Sequence, residues 1–265
     1  MIRLVFIFLS IFTFSFSAVK NLEGIYNIEY GIFGKLGTAE AKIQVKDNNK
    51  YEIKAKAYAT GLAKVLSGNR IEEYLSQGTF VDDAYRPDYF KKTIKKRGDL
   101  KVVEFFFDHQ NKKIIKKEYK KERKRIVDLN DLRKKEYKIV ESRGEQTLPF
   151  WTSEDILSLF FNVKKYVNTS KKGTKNIVSA IGASDKREGK IDIIIPNQNR
   201  YIEISEYIED DGDILIVKVY KKIFASKDGE FYISVDNDGL CSKSVLKDVM
   251  FFGDITATLE KKNKI

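Results

Sequence analysis

One cysteine, one histidine and three prolines are all that 265 residues hold of these types, and each scarcity excludes something. With Cys241 alone no intrachain disulfide can form, so stability has to come from packing and backbone hydrogen bonds. Beside Gly239 and Leu240, Cys241 reads as a small, half-buried hydrophobe rather than a nucleophile. A Ser-His-Asp or Cys-His hydrolase would have to recruit His109, and no Gly-x-Ser-x-Gly elbow exists to supply its partner. His109 sits in Phe107-Asp108-His109-Gln110-Asn111, which reads as a solvated hairpin turn. One His with one Cys also falls short of the three or four ligands of an ordinary zinc site.

Glycine-rich phosphate loops are missing too, since Gly31, Gly34 and Gly37 lack both Walker and dinucleotide spacing. The acidic loops Glu209 to Asp213 and Asp236 to Gly239 fail as EF-hands, because Tyr207 or Ser234 falls where the first aspartate belongs. Hence no catalytic residue, metal site or cofactor is assigned. Two of the many carboxylates could still meet for glycoside hydrolysis, but nothing points to a pair. Pro87, Pro149 and Pro196 stand apart and no Pro/Ser/Gly-rich linker occurs, so residues 18–265 read as a single β-rich domain.

What is present begins with Met1-Ile2-Arg3, an uncharged run from Leu4 to Phe16, and small residues around Ser15 and Ser17. That is the pattern of a secretory signal peptide over residues 1–17, against an uncleaved anchor or a buried first helix. The run is short for a membrane span, which takes about 20 apolar residues, so the mature form is read as soluble, without a transmembrane segment, and placed in the periplasm.

From Tyr51 to Ala59 apolar and charged residues alternate, which is period two with one wet face. Similar runs occur at Ile25–Tyr30, Ala39–Val45, Val102–Phe107, Lys135–Val140, Ile191–Ile195, Tyr201–Tyr207, Ile214–Tyr220, Phe231–Val235 and Ile255–Leu259. Asx/Gly turns join several of them. The expectation is mainly β: an antiparallel curved sheet or open barrel of about ten strands. Two helices interrupt it. Thr152 and Asp155 have capping-box spacing ahead of Ile156, Leu159, Phe160 and Val163, giving a helix over about 153–165; Thr60 precedes a short one over about 61–66.

Basic residues outnumber acidic ones by 49 to 38, and loss of Arg3 with the leader leaves +10. The excess concentrates at Lys112, Lys113, Lys116, Lys117, Lys120, Lys121, Lys124 and Arg125, with Arg123 among them against only Glu118 and Glu122, a local charge of +7. A spacing of four fits a basic stripe on a helix or an exposed hairpin arm, and the sequence leaves both open. Acidic partners are implied; export makes nucleic acid the poorest of them and anionic lipid or lipopolysaccharide better ones.

The order of several segments adds to this. Tyr26 to Ala39, Ala57 to Leu66, Asn69-Arg70-Ile71-Glu72, the proline-centred Tyr85 to Phe90, the helix signature Asp155 to Phe161, Asp238-Gly239-Leu240 and Gly253 to Leu259 resemble the exported bacterial family catalogued as domain of unknown function 3108. The resemblance runs over nearly the whole mature chain and departs from the pattern between about Leu129 and Thr147. It implies an envelope protein with a bent antiparallel sheet and no established activity; Gly61, Leu62, Arg70, Pro87, Asp155 and Phe160 stand in its motifs and, with Trp151 at the head of the helix, are the candidate binding or family-motif positions.

The functional expectation is a non-enzymatic periplasmic envelope protein holding a lipidic or amphipathic component, or a partner protein, in a sheet groove beneath the Trp151 helix. The alternative is a structural or assembly protein that docks its basic segment on an anionic membrane or lipopolysaccharide surface. A carbohydrate-acting hydrolase stands third. Ligand and oligomeric state are not readable from the sequence.

Overall fold

A computed structural model describes residues 21–31, 34–46, 48–127, 135–183, 187–210, 212–219, 229–236, 240–249 and 253–265. The stretch read as a leader, residues 1–17, residues 128–134 and the residues expected to form turns at Asp47, Asp211, Lys227 to Asp228 and Asn237 to Gly239 lie outside them. In chain order the elements are β1 (Asn21–Tyr30), β2 (Lys35–Val45), β3 (Lys50–Ala59), α1 (Gly61–Ser67), β4 (Ile71–Val81), β5 (Ala84–Lys96), β6 (Asp99–Asp108), β7 (Lys113–Val127) and β8 (Lys135–Thr147). There follow α2 (Ile156–Phe161), α3 (Val163–Tyr166), β9 (Lys175–Ser179), β10 (Lys190–Ile194), α4 (Gln198–Ile208), β11 (Asp213–Lys218), β12 (Glu230–Val235), β13 (Cys241–Val249) and β14 (Gly253–Lys264).

All fourteen strands form one antiparallel sheet in the order β8-β7-β6-β5-β4-β3-β2-β1-β14-β13-β12-β11-β10-β9. Two meanders meet at β1 and β14, and the sheet stays open with β8 and β9 as its edges. Period two decides the buried face: Tyr51, Ile53, Ala55, Ala57 and Ala59 of β3 are buried while Lys54 and Lys56 are exposed.

Mainly β, antiparallel and not closed is as expected, but the strands number fourteen rather than about ten. The extra ones hide for identifiable reasons. On β4 the buried face carries Glu72, Tyr74, Ser76, Gly78 and Phe80, so polarity masks its alternation. On β5 a register shift opposite Gln77 and Gly78 changes the phase, burying Tyr85 and Pro87 and then Phe90. The Tyr201–Tyr207 run is not a strand but part of α4, whose Asn197 cap accepts from the Arg200 N–H at 2.9 Å. Its Ile204 and Ile208, four apart, pack on Ile214, Ile216, Tyr232 and Val245, on the face of β11–β13 turned away from the main core. Covered on both sides, Ile214 to Val217 are all buried, which explains why β11 reads as a continuous apolar run.

The expected 153–165 helix is instead two short ones separated at Asn162, and its N-cap is Asp155 rather than Thr152. Thr152 Oγ donates instead to the Ser179 carbonyl. The short helix forms where expected, with Thr60 at the cap position though without a side-chain bond, and it ends on Gly68 at φ +72. Between the two sheet edges the chain carries α2 against β4 and β5. Ile181, just past β9, bonds on both sides of Asp155: the Ile156 N–H donates to its carbonyl at 2.8 Å and its own N–H donates to Glu154 O at 2.9 Å. Gly182 follows at φ +97, where a Cβ would crowd Ile156 and Phe90, so a glycine lets the C-terminal half approach β5.

Candidate functional site

β7 settles the conformation left open for the basic segment: it is a strand, paired without a shift to β6 and to β8. Ile114 is its one fully buried side chain among the described residues, and β8 is exposed along nearly its whole described length. β7 and β8 therefore form a two-stranded arm with water on both faces. A strand divides the basic pairs between those faces. Lys116, Lys120 and Lys124 share a face with Ile114, as do Phe105 and Phe107 on β6; Lys113, Lys117, Lys121 and Arg123 lie on the opposite, outer face. Lys112 sits in the β6–β7 turn at φ +50, and the Arg125 side chain lies outside the described residues.

Aromatics gather on the outer face. Register places Phe106, Tyr119, Tyr137 and Ile139 there among Lys117, Lys121, Arg123 and Arg143. Phe106, Tyr137 and Ile139 are exposed by 37%, 50% and 60%. Arg123 lies 4.4 Å from the Tyr137 ring centre, Arg143 5.6 Å from Tyr119 and Lys117 5.5 Å from Phe106. At exposed sites each such contact contributes about 0.5–1 kcal/mol. Carboxylates offset part of the charge: Lys117 reaches Glu145 at 3.3 Å, Lys121 reaches Glu141 at 3.6 Å and Lys124 reaches Glu122 at 3.9 Å. Exposed pairs of this kind stabilise by about 0–1 kcal/mol each. Partial burial pushes Glu118 up, but its bonds from Lys120 and Lys101 together outweigh this and leave it below the ordinary carboxylate value. Glu104, Lys117, Tyr119, Arg143 and Glu145 line an open depression on the arm.

The second cluster lies under α2 and is of the opposite kind. Asp155 is fully buried; it accepts from the N–H groups of Leu157 at 2.7 Å and Ser158 at 2.9 Å, and from the Ser76 hydroxyl, which also meets Tyr51 Oη at 2.9 Å. Ser158 Oγ accepts from the Asp155 N–H, completing a capping box. Glu154, 3% exposed, accepts from Ser158 Oγ, Asn162 Nδ2 and Tyr166 Oη at 2.7–3.0 Å. Asn162 also pairs its amide with both backbone groups of Tyr85 on β5, accepting at 2.8 Å and donating at 2.7 Å. Burial pushes Asp155 up to about 7 against its hydrogen-bond donors, and raises Glu154 as well. With every oxygen engaged, the pair works as a clasp that ties α2 to β3, β4 and β5. Of its members the sequence singled out Asp155; Ser158, three residues on, was the readable sign of the box, while Glu154, Ser76 and Asn162 meet only through the fold.

The other singled-out positions scatter. Phe160 is buried core, and Trp151 packs at its margin, 5.5 Å from the His109 ring. His109 is in the β6–β7 turn as expected, yet it is tethered rather than merely solvated, its Nε2 donating to the Pro87 carbonyl at 2.8 Å. Pro87 lies next to the β4–β5 register shift. Arg70, 7% exposed, binds the wholly buried Glu72, which also receives Tyr74 Oη and lies 3.3 Å from Lys92. Gly61 opens α1 at φ +53 with free space where a Cβ would stand, so backbone conformation is what favours glycine. The Leu62 side chain lies outside the described residues. Cys241 is fully buried, not half-buried, and burial raises its thiol well above the usual range.

A family model described as "Protein of unknown function (DUF3108)" matches the strands from β1 to the first residues of β8. Residues 25–136 match this model, as the resemblance of the β1 to β5 segments implied. The DUF3108 match covers β1 to β7 with α1, and so includes Gly61, Arg70, Pro87 and one strand of the arm. It ends before α2, so the likenesses at Asp155 to Phe161, Asp238 to Leu240 and Gly253 to Leu259 fall beyond it. No curated protein and no solved structure matches the chain.

Proposed function

We propose that this is an exported, non-enzymatic protein of a bacterial envelope, which docks its β7–β8 arm on an anionic surface of phospholipid or lipopolysaccharide. The observation that carries the reading is the outer face of the arm. Lys117, Lys121, Arg123 and Arg143 stand there beside the exposed Tyr137 and Ile139, the partly buried Tyr119 and, on the neighbouring β6, the exposed Phe106, and rings of this kind settle at the headgroup level while Lys and Arg meet phosphate. The local charge of +7 between Lys112 and Arg125 supplies attraction at longer range. A lipid groove beneath the helix draws less support, because all six residues of α2 are buried in the core.

Co-sedimentation with vesicles of three parts phosphatidylcholine to one part phosphatidylglycerol tests this. Binding is expected at low salt, to fall at least tenfold when salt is raised to about 0.5 M, and to be lost when Lys116, Lys117, Lys120, Lys121 and Lys124 become Gln. Equal binding by the variant, or indifference to salt, rejects the reading.

A further inference from the structure

β8 is a long open edge. It runs thirteen residues, against five for β9 at the other edge, and among the described residues no strand lies on its outer side. Exposed edges of this length template pairing with another chain unless proline, a bulge or like charges block them. β8 has no proline, its register with β7 is unbroken, and its charges alternate in sign along the outer face: Glu141, Arg143, Glu145.

We propose that β8 pairs with the same strand of a second copy, antiparallel about a twofold axis through Ser142, so that two sheets join edge to edge. In that register Glu141 stands opposite Arg143 of the partner subunit, and the symmetry repeats the pair. Ile139 then faces the partner's Glu145, and Tyr137 faces the partner's Thr147. On the other face Ser142 meets its own copy and Val140 meets the partner's Gly144, where nothing lies within 4 Å of a Cβ position and an isopropyl group has room. Neighbouring registers are worse. Centring on Glu141 sets Glu141 against itself, and centring on Arg143 sets arginine on arginine and Glu141 on Glu145. Like charges directly opposite destabilise a strand pair, whereas opposite charges support it. Both principal groups are accessible: Glu141 is half exposed and holds only the long 3.6 Å pair with Lys121, and Arg143 rests on the Tyr119 ring, with no carboxylate within ion-pair distance among the described residues. The pairing does not depend on the anionic-surface reading, since it uses the strand edge and not the ring-bearing face.

Two measurements test it on the full mature chain. Sedimentation equilibrium at micromolar concentration is expected to give a dimer for the native protein, a monomer for Arg143→Glu, and a dimer again for Glu141→Arg combined with Arg143→Glu. Ser142→Cys, oxidised with copper phenanthroline, is expected to cross-link two copies, with Ile177→Cys on β9 as the uncoupled control; the buried Cys241 adds no background. A monomer at every concentration, no rescue by the double reversal, or cross-linking no better than at residue 177 overturns the proposal. Stronger cross-linking through Val140→Cys than through Ser142→Cys overturns its register.

Discussion

The clasp under α2 and the β7–β8 arm use charge in opposite ways. Beneath α2 two carboxylates are fully buried and every oxygen has a donor, so removing one partner strands groups that water cannot reach. On the arm the described basic side chains stand in or near water, and their partners are a few carboxylates and ring faces, each worth little alone. One region converts polarity into a fixed geometry of helix on sheet. The other leaves its polarity on the surface, where the remaining twelve strands carry it as an extension of the same sheet.

The sharpest way to break this contrast is Asn162→Ala. It leaves the Tyr85 N–H and carbonyl without their partner and takes a donor from Glu154. At about 1–3 kcal/mol for each unsatisfied buried group, a loss of about 4 kcal/mol is expected in urea unfolding; a loss under 1 kcal/mol would mean that the clasp does not hold α2. The next effect is a pH dependence. Asp155 has its folded pKa raised from 3.8 to about 7, so the folded state holds the proton more tightly than the unfolded chain does. Its contribution to stability is therefore complete below about pH 3.8 and is lost as pH rises through about 7. Asp155→Asn keeps a good N-cap and has no proton to lose. Its stability relative to the native chain should improve by about 3 kcal/mol between pH 4.5 and 8. A gap that stays constant with pH would show that Asp155 is not held near neutrality.

On the arm the expected stability changes are small. Arg123→Ala, which removes the cation above Tyr137, should cost less than about 1 kcal/mol. The five-lysine variant should unfold within about 1 kcal/mol of the native protein while losing vesicle binding. A large destabilisation from either would make the arm a structural element like the clasp and erase the contrast.

How much of this was readable depends on whether the signal is local. Alternation exposed β3 because one face is entirely apolar, and the turn at His109 followed from its polar neighbours. β4 escaped because Glu72 and Ser76 face inward to serve partners on β5 and α2, distant in sequence. β5 escaped because a register shift changes the phase that a periodic reading relies on. In Tyr201 to Tyr207 periods two and four fit equally well, and the choice was made by the second apolar face of β11–β13, which only the folded sheet presents. For the basic segment a spacing of four fits one stripe of a helix or one face of a strand, so β8 was needed to decide. The same holds for the sites: Asp155 and the lysines could be named from sequence, whereas Glu154, Asn162, Tyr119 and Tyr137 took on meaning through pairings across the fold.

The central claim, that the ring-bearing outer face of the arm meets the anionic surface, is tested most directly by an environment-sensitive fluorophore attached at Ile139→Cys, with the buried Cys241 left in place. The emission should shift to the blue on adding phosphatidylglycerol-containing vesicles and stay unchanged with phosphatidylcholine alone, while the same label at Ile177→Cys on β9 responds to neither. A label at residue 139 that stays in water, while the protein as a whole binds the vesicles, would contradict the account.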